Sequence, residues 1–219
     1  MDKQVELAIS EALQQFEGSS TSEFKNTIAT VFNSDKDFMA KVDALDEAFD
    51  NAPKYDALRE VFFDLLMVNF FSEDVNKLEE DYLESPEWEA IEDETIDRGT
   101  ELLNVLLYIR ECRDEDIKPE LEDFLKEFLL VDEDEFQDEY RIYEDIIAHQ
   151  ILMESNFAEI GRVAKNLDDS SEIKDIFYPV MAFFYQSNPT PNDLEEFLKN
   201  SSDTEFEGAV YKLLLGFNK

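Results

Sequence analysis

The sequence predicts an all-α protein, a single compact multi-helix array, with helix-pair repeats of the α-solenoid kind as a variant. Three observations carry this. Apolar residues recur at spacings of three and four almost throughout the chain. Only five of the 219 residues are Gly, which leaves few of the tight turns a sheet needs. The one run with strand character, Ile176 to Tyr185, has no second run to pair with.

The elements follow in order. A first amphipathic helix is expected over 3–17, carrying Glu6 and Glu11. Ser20-Thr-Ser-Glu23 reads as a capping box opening a helix over 21–32. Helices over 35–50 and 54–71 come next. In the latter, Leu58, Val61, Phe62, Leu65, Leu66 and Asn69 form a buried stripe. A further helix is expected over 73–83. Ser85-Pro86 places a cap before Pro at the first helical position and opens a helix over 86–113, which includes the apolar stretch Leu102 to Ile109. Helices over 118–130 and 133–166 follow, the second broken near 155. Another spans 171–187, where Pro179 should kink or end it. Thr190-Pro191 and the box Ser202-Asp-Thr-Glu205 open two short C-terminal helices.

Pro53, Pro86 and Pro119 are 33 residues apart, and each opens a similar phrase: Pro53-Lys-Tyr-Asp-Ala-Leu58, Pro86-Glu-Trp-Glu-Ala-Ile91, Pro119-Glu-Leu-Glu-Asp-Phe124. That period suits helix-pair repeats. The next step lands on Leu152, where the phrase is gone, and Pro-x-apolar-acid is also how many helices begin. One domain over 1–219 is expected, divisible into N-terminal helices (1–52), a repeat-like acidic region (53–151) and C-terminal helices (152–219).

Charge is the exceptional property. The chain has 55 acids against 19 bases, a formal charge of −36. Direct nucleic-acid binding is excluded on this ground, because a phosphate backbone demands Lys and Arg patches. Adhesion to an anionic membrane is disfavoured for the same reason. The most apolar stretch, Val61 to Phe71, is too short for a membrane span and contains Asp64 and Asn69. The start of the chain lacks the basic and apolar regions of a signal peptide, and Cys112 is the only cysteine. A soluble cytoplasmic protein without disulfides is expected. The charge is also uneven. Residues 71–97 carry −11 and residues 114–145 carry −12, while 98–113, between them, carry +1. The picture is two acidic helical faces flanking one buried helix.

Chemical motifs give little. Glu89-x-x-Glu92, Glu94-x-x-Asp97 and Glu120-x-x-Asp123 resemble the paired carboxylates of Mg²⁺-dependent helical nucleotide hydrolases. Acids make up a quarter of the chain, however, so the spacing arises by chance many times over. A di-iron bundle needs two Glu-x-x-His elements, and His149 is the only histidine. Asn33-Ser-Asp35-Lys-Asp37 begins like an EF-hand loop but has Phe38 at the Gly position. Cys112 and His149 read as a buried thiol and a histidine at the core edge rather than a nucleophile and its base. The doubled aromatics Phe62-Phe63, Phe70-Phe71 and Phe183-Phe184-Tyr185 read as core, with some rings off the main stripe available as contact residues.

The function expected is therefore non-enzymatic. The protein binds and masks a basic, nucleic-acid-handling protein surface, as a nucleic-acid mimic or inhibitor or as an immunity-type protein. The partner surface is expected at Glu79, Glu80, Asp81, Glu84, Glu87, Glu89, Glu92 and Asp93, together with Asp132, Glu133, Asp134, Glu135, Asp138 and Glu139. No cofactor or metal is expected. The rival reading is a helical-repeat interaction scaffold whose acidity serves only solubility, and a Mg²⁺-dependent hydrolase is the third.

Overall fold

A computed structural model describes residues 1–18, 23–73, 82, 84–128, 130–132, 135–136 and 142–219. Its fold is all-α, as the periodicity requires. The N-terminal part comprises α1 (Lys3–Glu17), α2 (Glu23–Phe32), α3 (Phe38–Asp50), a 3-10 turn (Pro53–Leu58) and α4 (Arg59–Glu73). Then come α5 (Pro86–Thr95), α6 (Leu103–Asp114), one α-turn (Leu121–Asp123) running into a π-helical segment (Phe124–Phe128), and an antiparallel ribbon of β1 (Leu130–Asp132) and β2 (Glu135–Phe136). The C-terminal part comprises α7 (Glu144–Ala148), a 3-10 turn (Gln150–Glu154), α8 (Phe157–Ala164), α9 (Lys174–Tyr185), α10 (Pro191–Asn200) and α11 (Phe206–Phe217).

The first and last helices make the most extensive contact of the fold. Gly216 permits it: a Cβ there would lie 3.1 Å from the Ala8 Cα and 3.2 Å from the Leu7 carbonyl oxygen. Lys219 pairs with Glu11 at 2.8 Å across the same seam. Beneath it, α9 packs on α11, and α4 packs on α3 and α6. The core is rich in stacked rings, including Phe24 on Tyr55 at 4.0 Å and Tyr178 on Phe197 at 4.6 Å.

Helix starts obey local chemistry. Ser85 accepts the Trp88 N–H, and Thr190 forms a reciprocal capping box with Asp193. Asp2, Asp37 and Asn156 cap α1, α3 and α8. Asp37 of the EF-hand-like run is thus a cap. The box expected at Ser202 is replaced: Asp203 accepts the Glu205 and Phe206 N–H groups, while Glu207 reaches back to the Ser202 N–H at 2.8 Å. The box at Ser20–Glu23 and most of the 73–83 helix lie outside the described residues.

Several expected elements differ. The 86–113 helix is two helices, because Gly99 has low helix propensity and its N–H finds Glu60 on α4. The 118–130 and 133–166 helices give way to the turn, the π segment, the ribbon and three short helices. Acids crowded at three- and four-residue spacing repel along a helix, whereas Asp favours turns. Pro179 neither ends nor interrupts α9. As its sixth residue it forfeits only the bond to the Asp175 carbonyl, and the helix continues to Tyr185. The proline phrases open three unlike elements: a 3-10 turn, an α-helix and an extended stretch before a single turn. Among the described residues the 33-residue spacing is not matched by a shared structural unit.

Candidate functional site

α5 turns Trp88, Ile91 and Thr95 into the core. Trp88 meets the Phe71 ring at 5.2 Å. Its remaining face is acidic. Glu84, Glu87, Glu89, Glu92, Asp93, Glu94 and Asp97 are all exposed, and no basic residue lies between positions 84 and 97. Among the described residues none of these seven side chains has an ion-pair or hydrogen-bond partner. Glu87 and Glu89 sit in the first turn, where the helix dipole favours an acid. Glu92, Asp93 and Glu94 sit toward the last turn, where it disfavours one and where cations usually stand. The helix thus bears an unfavourable charge arrangement that no described residue relieves.

Several acids elsewhere are paired or bonded. Asp46, Asp50 and Asp56 surround Arg59, and Glu159 pairs with Arg162 at 2.8 Å. Asp169 pairs with Lys174, and Glu122 with Lys126. Asp168 accepts from Ser170 and Asp193 from Thr190, and both carboxyls are held below the usual carboxylate range by those bonds.

The cation nearest α5 in sequence is turned inward. Arg98 donates to both Asp46 oxygens at 2.9 and 3.0 Å, and its Nε pairs with Glu60 at 3.1 Å. Its guanidinium lies 4.6 Å from the Phe63 ring centroid. Two carboxylates one turn apart on α4 complete the corner: Glu60 accepts the Gly99 N–H at 3.1 Å and Asp64 the Leu102 N–H at 2.9 Å. Burial pushes the Asp64 carboxyl well above its ordinary value, opposed by the Leu102 bond. Burial also raises Glu101, aided by the negative charges of Glu60, Glu172 and Asp175. The corner fixes α5 to the core and consumes the charge that would have neutralised it.

The structure therefore brings Glu84, Glu87, Glu89, Glu92 and Asp93 of the expected surface onto one exposed element, and adds Glu94 and Asp97. Asp132 and Glu135 are backbone partners in the β-ribbon rather than members of a helical face. Glu79, Glu80, Asp81, Glu133, Asp134, Asp138 and Glu139 lie outside the described residues. The helix expected between the acidic segments is α6, with Val105, Leu106, Tyr108, Ile109 and Cys112 buried. The doubled aromatics are core, as expected: Phe62, Phe63, Phe70, Phe71, Phe183 and Phe184 are buried and Tyr185 is partly buried against them, so none supplies an exposed contact ring. Ile96 is exposed instead, at the end of α5. Asp64 and Asn69 are buried core anchors, the latter accepting the Asp2 N–H at 2.9 Å.

Cys112 and His149 do not meet. Burial raises the Cys112 thiol, which lies beside the Tyr108 hydroxyl. The His149 Nδ1 is 2.7 Å from the Asp145 carbonyl, with its ring edge-on to Phe177. Among the described residues no three His, Cys, Asp or Glu side chains converge as a metal-ligand set, and no helix is long and apolar enough to cross a membrane. Comparison with protein-family models, curated proteins and solved structures finds no match for the chain.

Proposed function

We infer that the protein is a non-enzymatic binding protein that presents α5 as an acidic docking surface for a basic, nucleic-acid-handling protein. One observation supports this most: seven exposed carboxylates from residue 84 to 97, with no ion pair among the described residues, on and beside a helix whose neighbouring arginine is committed to the core. A solubilising surface carries interspersed Lys and Arg, and none falls between residues 84 and 97. An uncompensated array costs stability through self-repulsion, and a basic partner recovers that cost on binding. The carboxylates steer the encounter and raise the association rate. The same array repels nucleic acid itself, so the partner is the protein that handles it.

Affinity capture from the native host with salt-step elution identifies the partner, and association rates then test the site. The variant Glu84→Gln, Glu89→Gln, Glu92→Gln and Asp93→Asn should associate more slowly and with a flatter salt dependence. The matched variant Glu154→Gln, Glu195→Gln, Glu196→Gln and Glu205→Gln is the control. Asp193 and Asp203 are unsuitable as controls because both cap helices. Equal slowing in both variants means bulk charge and no defined site. No slowing in either leaves the acids as solvated surface and favours the scaffold reading.

A further inference from the structure

Beside the acidic helix the surface opens into a cleft of about 400 Å³ between the start of α3, the middle of α4 and α5. Its inner wall is mostly apolar, with Phe38, Leu66, Phe70 and Ile91 buried there beside the amide of Asn69. Along one edge stand Glu87, Ala90 and Glu94, three and four residues apart and exposed. The opposite edge carries two lysines and one aspartate. Lys36 stands next to Asp37, and Lys41 donates to the Phe32 carbonyl at 3.5 Å. The cleft therefore combines a mostly apolar floor with two carboxylates that have no ion-pair partner among the described residues. Its volume is in the range of sites that enclose a side chain or small ligand.

We propose that this cleft receives one apolar side chain of a basic protein segment, whose flanking Arg or Lys residues meet Glu87 and Glu94. Charge complementarity sets the occupant. An apolar side chain suits the floor, and cations beside it satisfy the edge without burying either glutamate. Binding energy in such interfaces concentrates in a desolvated anchor ringed by polar contacts. The carboxylates then govern association and the anchor governs dissociation. The proposal rests on the reading of α5 as the partner surface. It adds the form of the partner, a segment with a projecting anchor rather than a flat basic face.

Three fluorescein-labelled peptides without Trp test it: an Arg-rich peptide with a central Leu, the same peptide with Ala in its place, and the Leu peptide with every Arg replaced by Gln. Anisotropy gives affinities, and emission from Trp88, the only Trp, reports occupancy beside α5. The Leu–Arg peptide should bind at least tenfold more tightly than either other peptide and change the Trp88 emission. Ala90→Phe and, independently, Met39→Phe fill the cleft. Each should abolish the tenfold advantage of Leu while leaving the affinity of the Ala peptide unchanged. Glu87→Gln with Glu94→Gln should weaken both Arg peptides. A Leu advantage that survives in both cleft-filling variants, with helical spectra intact, overturns the cleft proposal while the acidic surface stands. The reading of α5 itself fails by a different result: Arg-peptide binding insensitive both to salt and to the four-acid variant.

Discussion

Arg98→Met removes one guanidinium and keeps most of its apolar stem. The variant loses two contacts to Asp46 at 2.9 and 3.0 Å, the Glu60 pair at 3.1 Å, and the cation over Phe63 at 4.6 Å. The exposures set the scale. The Arg98 side chain is 17% exposed, against 32% for Asp46 and 43% for Glu60. Surface pairs contribute about 0–1 kcal/mol, and breaking a fully buried pair costs about 3–5 kcal/mol. Arg98 falls between, and Asp46 retains Arg59 at 3.2 Å, which limits the loss. With about 0.5–1 kcal/mol for the contact to Phe63, the expected destabilisation is about 2–3 kcal/mol. At about 2–4 °C per kcal/mol for a chain of this length, Tm falls by about 5–10 °C. Thermal melts measure it. Arg162→Met is the control, because the Arg162–Glu159 pair is 65% and 47% exposed and should contribute no more than about 0.5 kcal/mol. Amides of 86–102 should also exchange faster in Arg98→Met, since the corner that anchors α5 is released. If the Tm shift does not exceed that of Arg162→Met, Arg98 does not hold the corner.

Three further outcomes are expected. Asp64→Asn should gain stability relative to the native chain as pH rises. The folded state binds the Asp64 proton more tightly than the unfolded state, so its contribution is full below the ordinary Asp range and is lost as pH rises through the raised folded value; denaturant melts giving a constant difference from pH 4 to 8 contradict this. Gly161→Ala should destabilise by about 1 kcal/mol, because overpacking at about 1–3 kcal/mol outweighs a helix-propensity gain of about 1 kcal/mol. The added Cβ would lie 2.8 Å from the Asn200 carbonyl oxygen, so a stabilised variant means that α8 and α10 are less closely apposed. Tm of the native protein should climb with salt up to about 0.5 M, where the Debye length is roughly 4 Å, and a flat trend means the acids are compensated after all.

Much of the fold was legible in residues whose neighbours in sequence are also their neighbours in space. The stripe from Leu58 to Leu66, the Ser85 cap and the Thr190–Asp193 box are decided within a turn or two. So is the acidity of α5, because no basic residue falls between 84 and 97. What misled was the same locality carried too far. Apolar and acidic residues at 118–139 fit a helical period, but the structure replaces much of that stretch with a π segment and a ribbon. The doubled phenylalanines are core as read, and the second ring of each pair, off the main stripe, is buried as well.

By itself the sequence determined the helical class, most helix starts and the excess of negative charge, since these depend on period, caps and composition. Only the tertiary structure decided which acids stay uncompensated. Arg98 is five residues from Asp93 along the chain, and sequence proximity alone would pair it with α5. It pairs instead with Asp46, 52 residues away, and with Glu60. The physical reason is that the corner must satisfy the Gly99 and Leu102 N–H groups where it meets α4, and the carboxylates that do so draw the guanidinium inward over Phe63.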